Sequence, residues 1–101
     1  MIIYNVTIKV DWAIHDQWLQ WIQQEHIPLM LKTGCFFESK ILRLLEIDED
    51  DGPTYAIQYH ALSATDYKRY IQQHASSLRQ HNDTTWGEQT IAFRSVMEVL
   101  H

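Results

Sequence analysis

The sequence predicts an α+β fold of the ferredoxin-like type, in which a βαββαβ chain forms a four-stranded antiparallel sheet with two helices on one face. Four segments alternate apolar and polar side chains with the period of a half-buried strand. Two other segments carry an apolar stripe with the period of a helix. Right-handed crossovers then place both helices on the same side of the sheet. The 101 residues suffice for one domain, which we assign to residues 1–101.

The first predicted strand covers residues 2–10. Its apolar side chains alternate with Asn5, Thr7 and Lys9, so that one face is buried and the other is polar. Asp11 follows the strand directly. Its carboxylate can accept hydrogen bonds from the free N–H groups of the first helical turn, so we expect a helix to begin there.

That helix is predicted over residues 12–33. Its apolar stripe also takes in Glu25 and has His26 at its edge. Pro28 cannot donate to the carbonyl four residues earlier, which predicts a kink, or a break followed by a second short helical piece. Gly34 is the expected left-handed stop. The apolar members of the stripe are Ile14, Trp18, Trp21, Ile22 and Leu29.

The second and third strands are predicted over 36–47 and 54–62. Between them, the pair Asp51-Gly52 is typical of a hairpin turn. The second helix begins at a capping-box pattern that opens with Ser63, and it is predicted to end near Gln80. Its stripe contains Tyr67, Tyr70, Ile71, His74 and Leu78.

A polar loop is predicted over 81–88 and a fourth strand over 89–100. For the whole sheet, we expect the more apolar face to meet the helices. It comprises Tyr4, Val6, Ile8, Phe37, Ile41, Tyr55, Ile57, Ile91 and Phe93. The second face mixes aliphatic side chains with polar ones such as Asn5, His60 and Arg94. It is either solvated or packed against the same face of a second copy, and we favour the homodimer because so small a chain has little core of its own.

Composition excludes several classes of function. Net charge is -5, and the eight Lys and Arg residues are scattered, so no basic patch for nucleic acid is predicted. No apolar run is long enough for a membrane span, and the first ten residues indicate a strand and not a signal peptide. The single cysteine, Cys35, allows no internal disulfide, which fits a cytoplasmic location.

The sequence resembles the dimeric α/β-barrel superfamily, in which two ferredoxin-like subunits pack sheet against sheet. Residues 26–28 (HIP) and 34–36 (GCF) are similar to the His-x-Pro and Gly-x-Phe pattern of several of its families. These include antibiotic-biosynthesis monooxygenase-like and EthD-like proteins. Over the whole chain, the segments IYNVTIKV, HIPLMLKTG, TYAIQYHA and FRSVMEVL look closest to an uncharacterised bacterial family within that group.

The resemblance implies a ligand cleft between the helices and the sheet, with His26 as the candidate catalytic residue. Glu25 beside it could tune the imidazole as a general base. The alternative is structural: His26 binds a carbonyl freed by Pro28, or lies in solvent. The predicted ligand pocket comprises Trp18, Trp21, Ile22, Tyr55, Tyr59, Tyr67, Tyr70 and His74. Aromatic residues at these periods also fit a simple core.

No metal and no cofactor are predicted. The spacing of Glu25, His26 and His74 matches no metal-binding motif. Haem-degrading relatives use a tryptophan on a strand, which this chain lacks, and some superfamily monooxygenases work without metal or flavin. Two functions stay open. The protein is a dimer that binds a small apolar or aromatic molecule, with cofactor-independent monooxygenase- or isomerase-like chemistry in view, or it is a non-enzymatic dimer whose own side chains fill the cleft.

Overall fold

The computed structural model describes residues 1–101 and contains the predicted order of elements. One sheet holds four strands: β1 (Ile2–Val10), β2 (Glu38–Arg43), β3 (Thr54–Ala61) and β4 (Thr90–Glu98). Their order across the sheet is β2-β3-β1-β4, and every neighbouring pair is antiparallel. The predicted α+β fold is confirmed.

Two helical segments cover one face of this sheet, called the inner face below. The first comprises a 3-10 turn (Trp12–Ile14), α1 (His15–Trp21), a π turn (Ile22–His26) and α2 (Ile27–Lys32). The second comprises α3 (Ala64–Gln73), α4 (Ala75–Trp86) and a 3-10 turn (Gly87–Gln89). Both predicted caps are present, because Asp11 accepts from the Ala13 N–H and Ser63 from the Asp66 N–H. No helix combines the length and apolar character that crossing a bilayer requires.

Pro28 leaves the first segment helical but changes its winding. It lies in the first turn of α2, and the chain widens into the π turn immediately before it. The Ile27 N–H reaches back five residues to the Ile22 carbonyl. A π turn contains one more residue than an α turn, so it accommodates the missing N–H without ending the helix.

This extra residue rotates the side chains of all later residues of the segment about the helix axis. Ile22, His26 and Met30 therefore share one line facing the sheet, although residues four apart would drift out of line in a regular helix. The expected positions of Glu25 and Leu29 in the buried stripe are wrong for this reason. Glu25 is exposed, Leu29 is 41% exposed, and Met30 is only 1% exposed.

The second helical segment differs from the prediction in two places. It is not one helix, because His74 leaves helical geometry at φ -128° between α3 and α4. Residues 81–88 are also not a polar loop, since α4 continues through them to Trp86. Their polar composition misled the sequence interpretation. Leu78, Asn82 and Trp86 follow one another at helical spacing, and all three are partly buried.

The connection between β2 and β3 is longer than a hairpin turn. β2 ends at Arg43, so residues 44–47 lie outside the strand that was predicted for them. Gly52 has φ +153°, and a Cβ built there would overlap the Val10 carbonyl. The neighbouring Pro53 carbonyl accepts from the Val10 N–H at 3.0 Å. The loop is thus fastened to the end of β1, and only glycine fits at the point of closest approach.

The register of β4 reverses the expected orientation of its side chains. Arg94 pairs with Val6 and Ala92 with Ile8, which places Ala92 and Arg94 on the inner face. Ile91 and Phe93 lie on the outer face and are 58% and 71% exposed. Both sets of alternate residues contain apolar side chains, so the alternation alone did not identify the buried one.

An aromatic cluster forms the centre of the core under the second helical segment. Tyr4 lies between the strands and α3, with ring centroids 5.3 Å from Tyr70 and 6.1 Å from Phe36. Phe36 is 4% exposed, whereas Phe37, which was expected in the core, is 51% exposed. β2 begins only at Glu38, so the alternation does not extend back through Phe37.

The close approach at Gly52 predicts a large effect of a single methyl group. We expect Gly52→Ala to lower the free energy of unfolding by more than about 2 kcal/mol, because the new Cβ forces the loop away from Val10. Chemical denaturation measures it. Gly34→Ala is the matched control. Gly34 has φ +76° with no heavy atom closer than 4.0 Å, so it loses only about 1 kcal/mol. Equal losses in the two variants would contradict the close approach of Gly52 to Val10.

Candidate functional site

A small cavity lies between the inner face of the sheet and both helical segments. Its volume is about 40 Å³. Its apolar wall comes from all four of β1, β3, β4 and α4, and from the π turn and α2. The residues are Val6, Ile8, Ile22, Met30, Ile57, Leu78 and Ala92. By this measure one water needs roughly 10–15 Å³, so the cavity has room for about three waters. A drug-sized ligand would require side chains to move.

The polar side chains of the cavity are all neutral or basic. They are Tyr4, His26, Tyr59, Tyr70, Arg79, Asn82 and Arg94. No Asp or Glu is present in the lining. Burial raises the pKa of Tyr59 and Tyr70, so both phenols stay protonated at neutral pH. The chemistry available at this wall is therefore hydrogen-bond donation and positive charge.

His26 reaches the cavity because the π turn carries it onto the line of Ile22 and Met30. Its ring stacks on Trp21 at 4.9 Å and on His81 at 6.0 Å, measured between centroids. Its Nδ1 is buried without a hydrogen-bond partner. A bond from His26 to a carbonyl freed by Pro28, the structural alternative, is not formed.

The surroundings of His26 favour its neutral form. Burial lowers its pKa from 6.5 to about 4, and electrostatic repulsion from the neighbouring His81 and Arg94 acts in the same direction. At neutral pH the imidazole is uncharged and only weakly basic. A general base works best with a pKa near the working pH, so His26 in these surroundings is poorly tuned for that task.

Two arginines approach the cavity from different elements. The Arg79 guanidinium on α4 donates to the Tyr4 hydroxyl at 3.2 Å through Nη2, while its Nε is buried without a partner. Arg94 enters from the edge strand β4. Neither arginine forms an ion pair, although Arg43 and Arg69 do. The cavity thus collects positive charge in a chain whose net charge is -5.

The structure brings together four of the residues predicted for the site and leaves six apart. His26, Ile22, Tyr59 and Tyr70 line the cavity. The other six do not: Trp18, Trp21, Glu25, Tyr55, Tyr67 and His74. Trp18 is fully buried in the core, Trp21 acts as a stacking partner of His26, and Glu25 lines a separate surface depression. A catalytic role for His26 or Glu25 stays a prediction.

Tyr55 belongs to a different polar group at the opposite end of the first helical segment. Its hydroxyl lies 2.6 Å from His15 Nε2, and His15 Nδ1 lies 3.0 Å from the Asp16 carboxylate. The His15 and Tyr55 rings stack at 5.8 Å. This chain of contacts joins the helix to β3 and is not part of the cavity. We infer that these contacts are structural and hold α1 against β3.

Several residues of the cavity lining were not predicted for the site, among them Met30, Arg79, Asn82 and Arg94. A regular helix would leave Met30 outside the buried stripe, and only the π turn brings it to face the sheet. Arg94 was expected on the outer face, whereas the register of β4 places it on the inner face. Asn82 lay in a segment interpreted as a loop. A usable signal was present for α4, since Leu78, Asn82 and Trp86 have helical spacing and Arg79 lies three residues before Asn82.

The fold and the cavity define a class of small α+β proteins with a ferredoxin-like sheet and a cleft beneath the helices. Residues 1–100 match the model of DUF4286, a domain of unknown function, and the chain belongs to this family. This confirms the predicted relation to an uncharacterised family of ferredoxin-like proteins. Among curated proteins, none matches the chain by sequence.

Two solved structures show the same fold at low sequence identity. An EthD (ethyl tert-butyl ether D) family protein from Bacillus halodurans superposes with a TM-score of 0.68 at 10% identity. The match covers 99% of this chain and 100% of the other. A dimeric ferredoxin-like protein from an uncultured marine organism gives a TM-score of 0.65 at 9% identity, covering 99% of this chain and 95% of the other. Both similarities concern the fold.

The depressed pKa of His26 predicts a pH-dependent stability. Between about pH 6.5 and 4, the unfolded chain binds a proton at His26 that the folded chain does not, so stability present above pH 6.5 is lost as the pH falls. From pH 7.5 to 5 this residue should account for about 2 kcal/mol of the lost free energy of unfolding. Urea denaturation of the parent protein and of His26→Gln measures the difference.

His101→Gln is the control for that measurement, because His101 is exposed at the end of the chain. It should lose as much stability as the parent protein over the same pH range. If His26→Gln also follows the parent curve, His26 is not buried as described.

Proposed function

We propose that this protein is a cytoplasmic homodimer that binds a small apolar or aromatic molecule in the helix–sheet cleft of each subunit. The observation that carries the proposal is the cavity itself, which has an apolar wall with a few polar groups converging on it. Such a combination is the usual form of a small-molecule site. A free, buried Cys35 suits a reducing compartment.

The outer face of the sheet supports the dimer. Its residues form rows across the strands. One row contains Phe93, Thr7, Ala56 and Leu42 as successive cross-strand neighbours. Phe93 and Leu42 are 71% and 43% exposed, and Ile91 beside them is 58% exposed. Apolar side chains in this number on one face are typical of an interaction surface.

A second copy of the same chain is the partner that this surface fits. Next to this row lies a polar row made of Ser95, Asn5, Gln58 and Lys40. A two-fold axis brings identical faces together, so the donors and acceptors of this row can pair with those of the other copy. One of the similar structures is described as a dimeric ferredoxin-like protein, which agrees with this arrangement.

The chemistry proposed for the cleft is cofactor-independent, of monooxygenase or isomerase type, with His26 as the residue nearest the ligand. The imidazole is neutral and its Nδ1 has no partner within the chain, so it is free to hydrogen-bond to a ligand that displaces the surrounding side chains. A ligand that carries negative charge would raise the pKa of His26 and make it a better base.

The second candidate function is a non-enzymatic dimer. The observation that favours it is the cavity volume of about 40 Å³, which is far below the roughly 300 Å³ of ordinary ligand pockets. Under this alternative the cleft is filled by its own side chains, and the outer face carries the function.

The dimer predicts that one charge on the outer face produces monomers. Phe93→Glu would bury a carboxylate without a partner in the interface, so we expect the protein to sediment as a monomer at micromolar concentration. Leu45→Glu is the matched control, because Leu45 is 76% exposed and lies in the loop after β2, outside the strands of the sheet. A parent protein that already sediments as a monomer would refute the proposed dimer.

Binding in the cleft predicts a localised response to benzamide, an uncharged aromatic probe. In methyl-labelled protein, we expect benzamide to shift the NMR signals of Ile8, Ile22 and Ile57, which line the cavity. Ile47 and Ile71 lie at the surface and serve as internal controls. Shifts confined to the surface methyl groups, or no shifts at all, would favour the filled cleft.

A further inference from the structure

We propose that the ligand of this cleft carries a carboxylate, which Arg79 and Arg94 bind. This deepens the small-molecule binding proposed above and rests on it. Two observations support it: the charges that reach the cavity are basic, and they have no acidic partners inside the chain.

Arg79 and Arg94 differ from the other two arginines of the chain because they form no ion pair. The chain has 13 Asp and Glu residues against 8 Lys and Arg, so acidic partners are abundant. Arg43 pairs with Glu49 at 2.7 Å and Arg69 with Asp66 at 3.2 Å. Arg79 and Arg94 form no ion pair, and no acidic residue lines the cavity that they share.

Arg79 has a buried hydrogen-bond donor without a partner, which destabilises the folded state. Its Nε is buried with no hydrogen-bond partner, and its only side-chain bond goes to the Tyr4 hydroxyl. A buried donor without a partner is a substantial cost to the folded state. An anion held between the two guanidinium groups would meet this need. Its bond to the buried Arg79 Nε would be charge-assisted and stronger than the same bond in water.

The remaining wall indicates the kind of anion. Arginine presents a planar fork of N–H donors that matches a carboxylate in a two-bond geometry. Asn82 adds an amide group, and the aliphatic side chains Val6 and Leu78 continue the wall beyond the charges. The cavity, with space for about three waters, holds a carboxylate-sized group as it stands. A small aliphatic acid therefore fits better than a large polyanion.

The experiment compares propionate with propionamide, which is nearly the same in shape but uncharged. Both are titrated into the dimeric protein while the methyl signals of Ile22 and Ile57 are followed by NMR. We expect propionate to bind at least about tenfold more tightly than propionamide, because hydrogen bonds to a charged group contribute more than neutral ones. Arg94→Gln should weaken the binding of propionate much more than that of propionamide, because only the charged ligand loses an ion pair.

Arg69→Gln is the matched control, since Arg69 lies outside the cavity and is paired with Asp66. It should bind propionate as the parent protein does. Arg94 is exposed on an edge strand, so its replacement is expected to leave the fold intact. Arg79→Lys provides a second test, because it keeps the charge but loses the fork, and it should weaken propionate binding severalfold.

Each other outcome overturns the inference in a distinguishable way. Equal affinities for propionate and propionamide would contradict the inference that the ligand carries a carboxylate. They would leave the proposed small-molecule site unaffected. If benzamide fails as well, the proposed function fails with it. Inorganic phosphate that displaces propionate at equal concentration would overturn the assignment to a carboxylate. If Arg94→Gln separates the dimer and does not change propionate binding, Arg94 pairs with the other subunit instead.

Discussion

The missing N–H of Pro28 is the constraint on which the site depends. A regular helix through this position would place Glu25 and Leu29 against the sheet and would leave Met30 exposed. The π turn over Ile22–His26 adds one residue, and the side chains that follow rotate by one position. His26 and Met30 then come to face the sheet, and Glu25 turns to the surface. The imidazole that lines the cleft is there because of a proline two residues later.

The position of His26 in turn explains its protonation state. Its ring packs in a three-ring cluster with Trp21 and His81, and Arg94 lies on β4, so burial and neighbouring positive charge both disfavour a proton. The same feature links the histidine to the two unpaired arginines. Each positive group in the cleft raises the cost of charging the others, and an anion would relieve all of them together. The cleft is thus a basic site within an acidic protein.

The two faces of the sheet divide the proposed functions between them. The inner face and its helices enclose the cavity, whereas the outer face exposes Phe93, Ile91 and Leu42. This division depends on β4, where Arg94 and not Phe93 faces inward. If the alternate residues of β4 had faced inward as the sequence predicted, Arg94 would point away from the cleft. Phe93 would then be absent from the outer face. A single register therefore determines both the polarity of the cleft and the apolar character of the proposed interface.

The sequence by itself determined the order of the elements, the caps at Asp11 and Ser63, and the stop at Gly34, because these depend on neighbouring residues and on periodicity. It also singled out His26, through a resemblance in the HIP and GCF segments. Tertiary structure decided the rest. Pro28 predicted a kink or a break, and only the folded helix showed that the irregularity takes the form of a π turn. The helical state of residues 81–88 follows from packing, and the inward face of β4 follows from pairing with β1. For that reason Arg79, Asn82 and Arg94 emerged as neighbours of His26 only when the chain was folded: they lie far from it in sequence and have no shared motif.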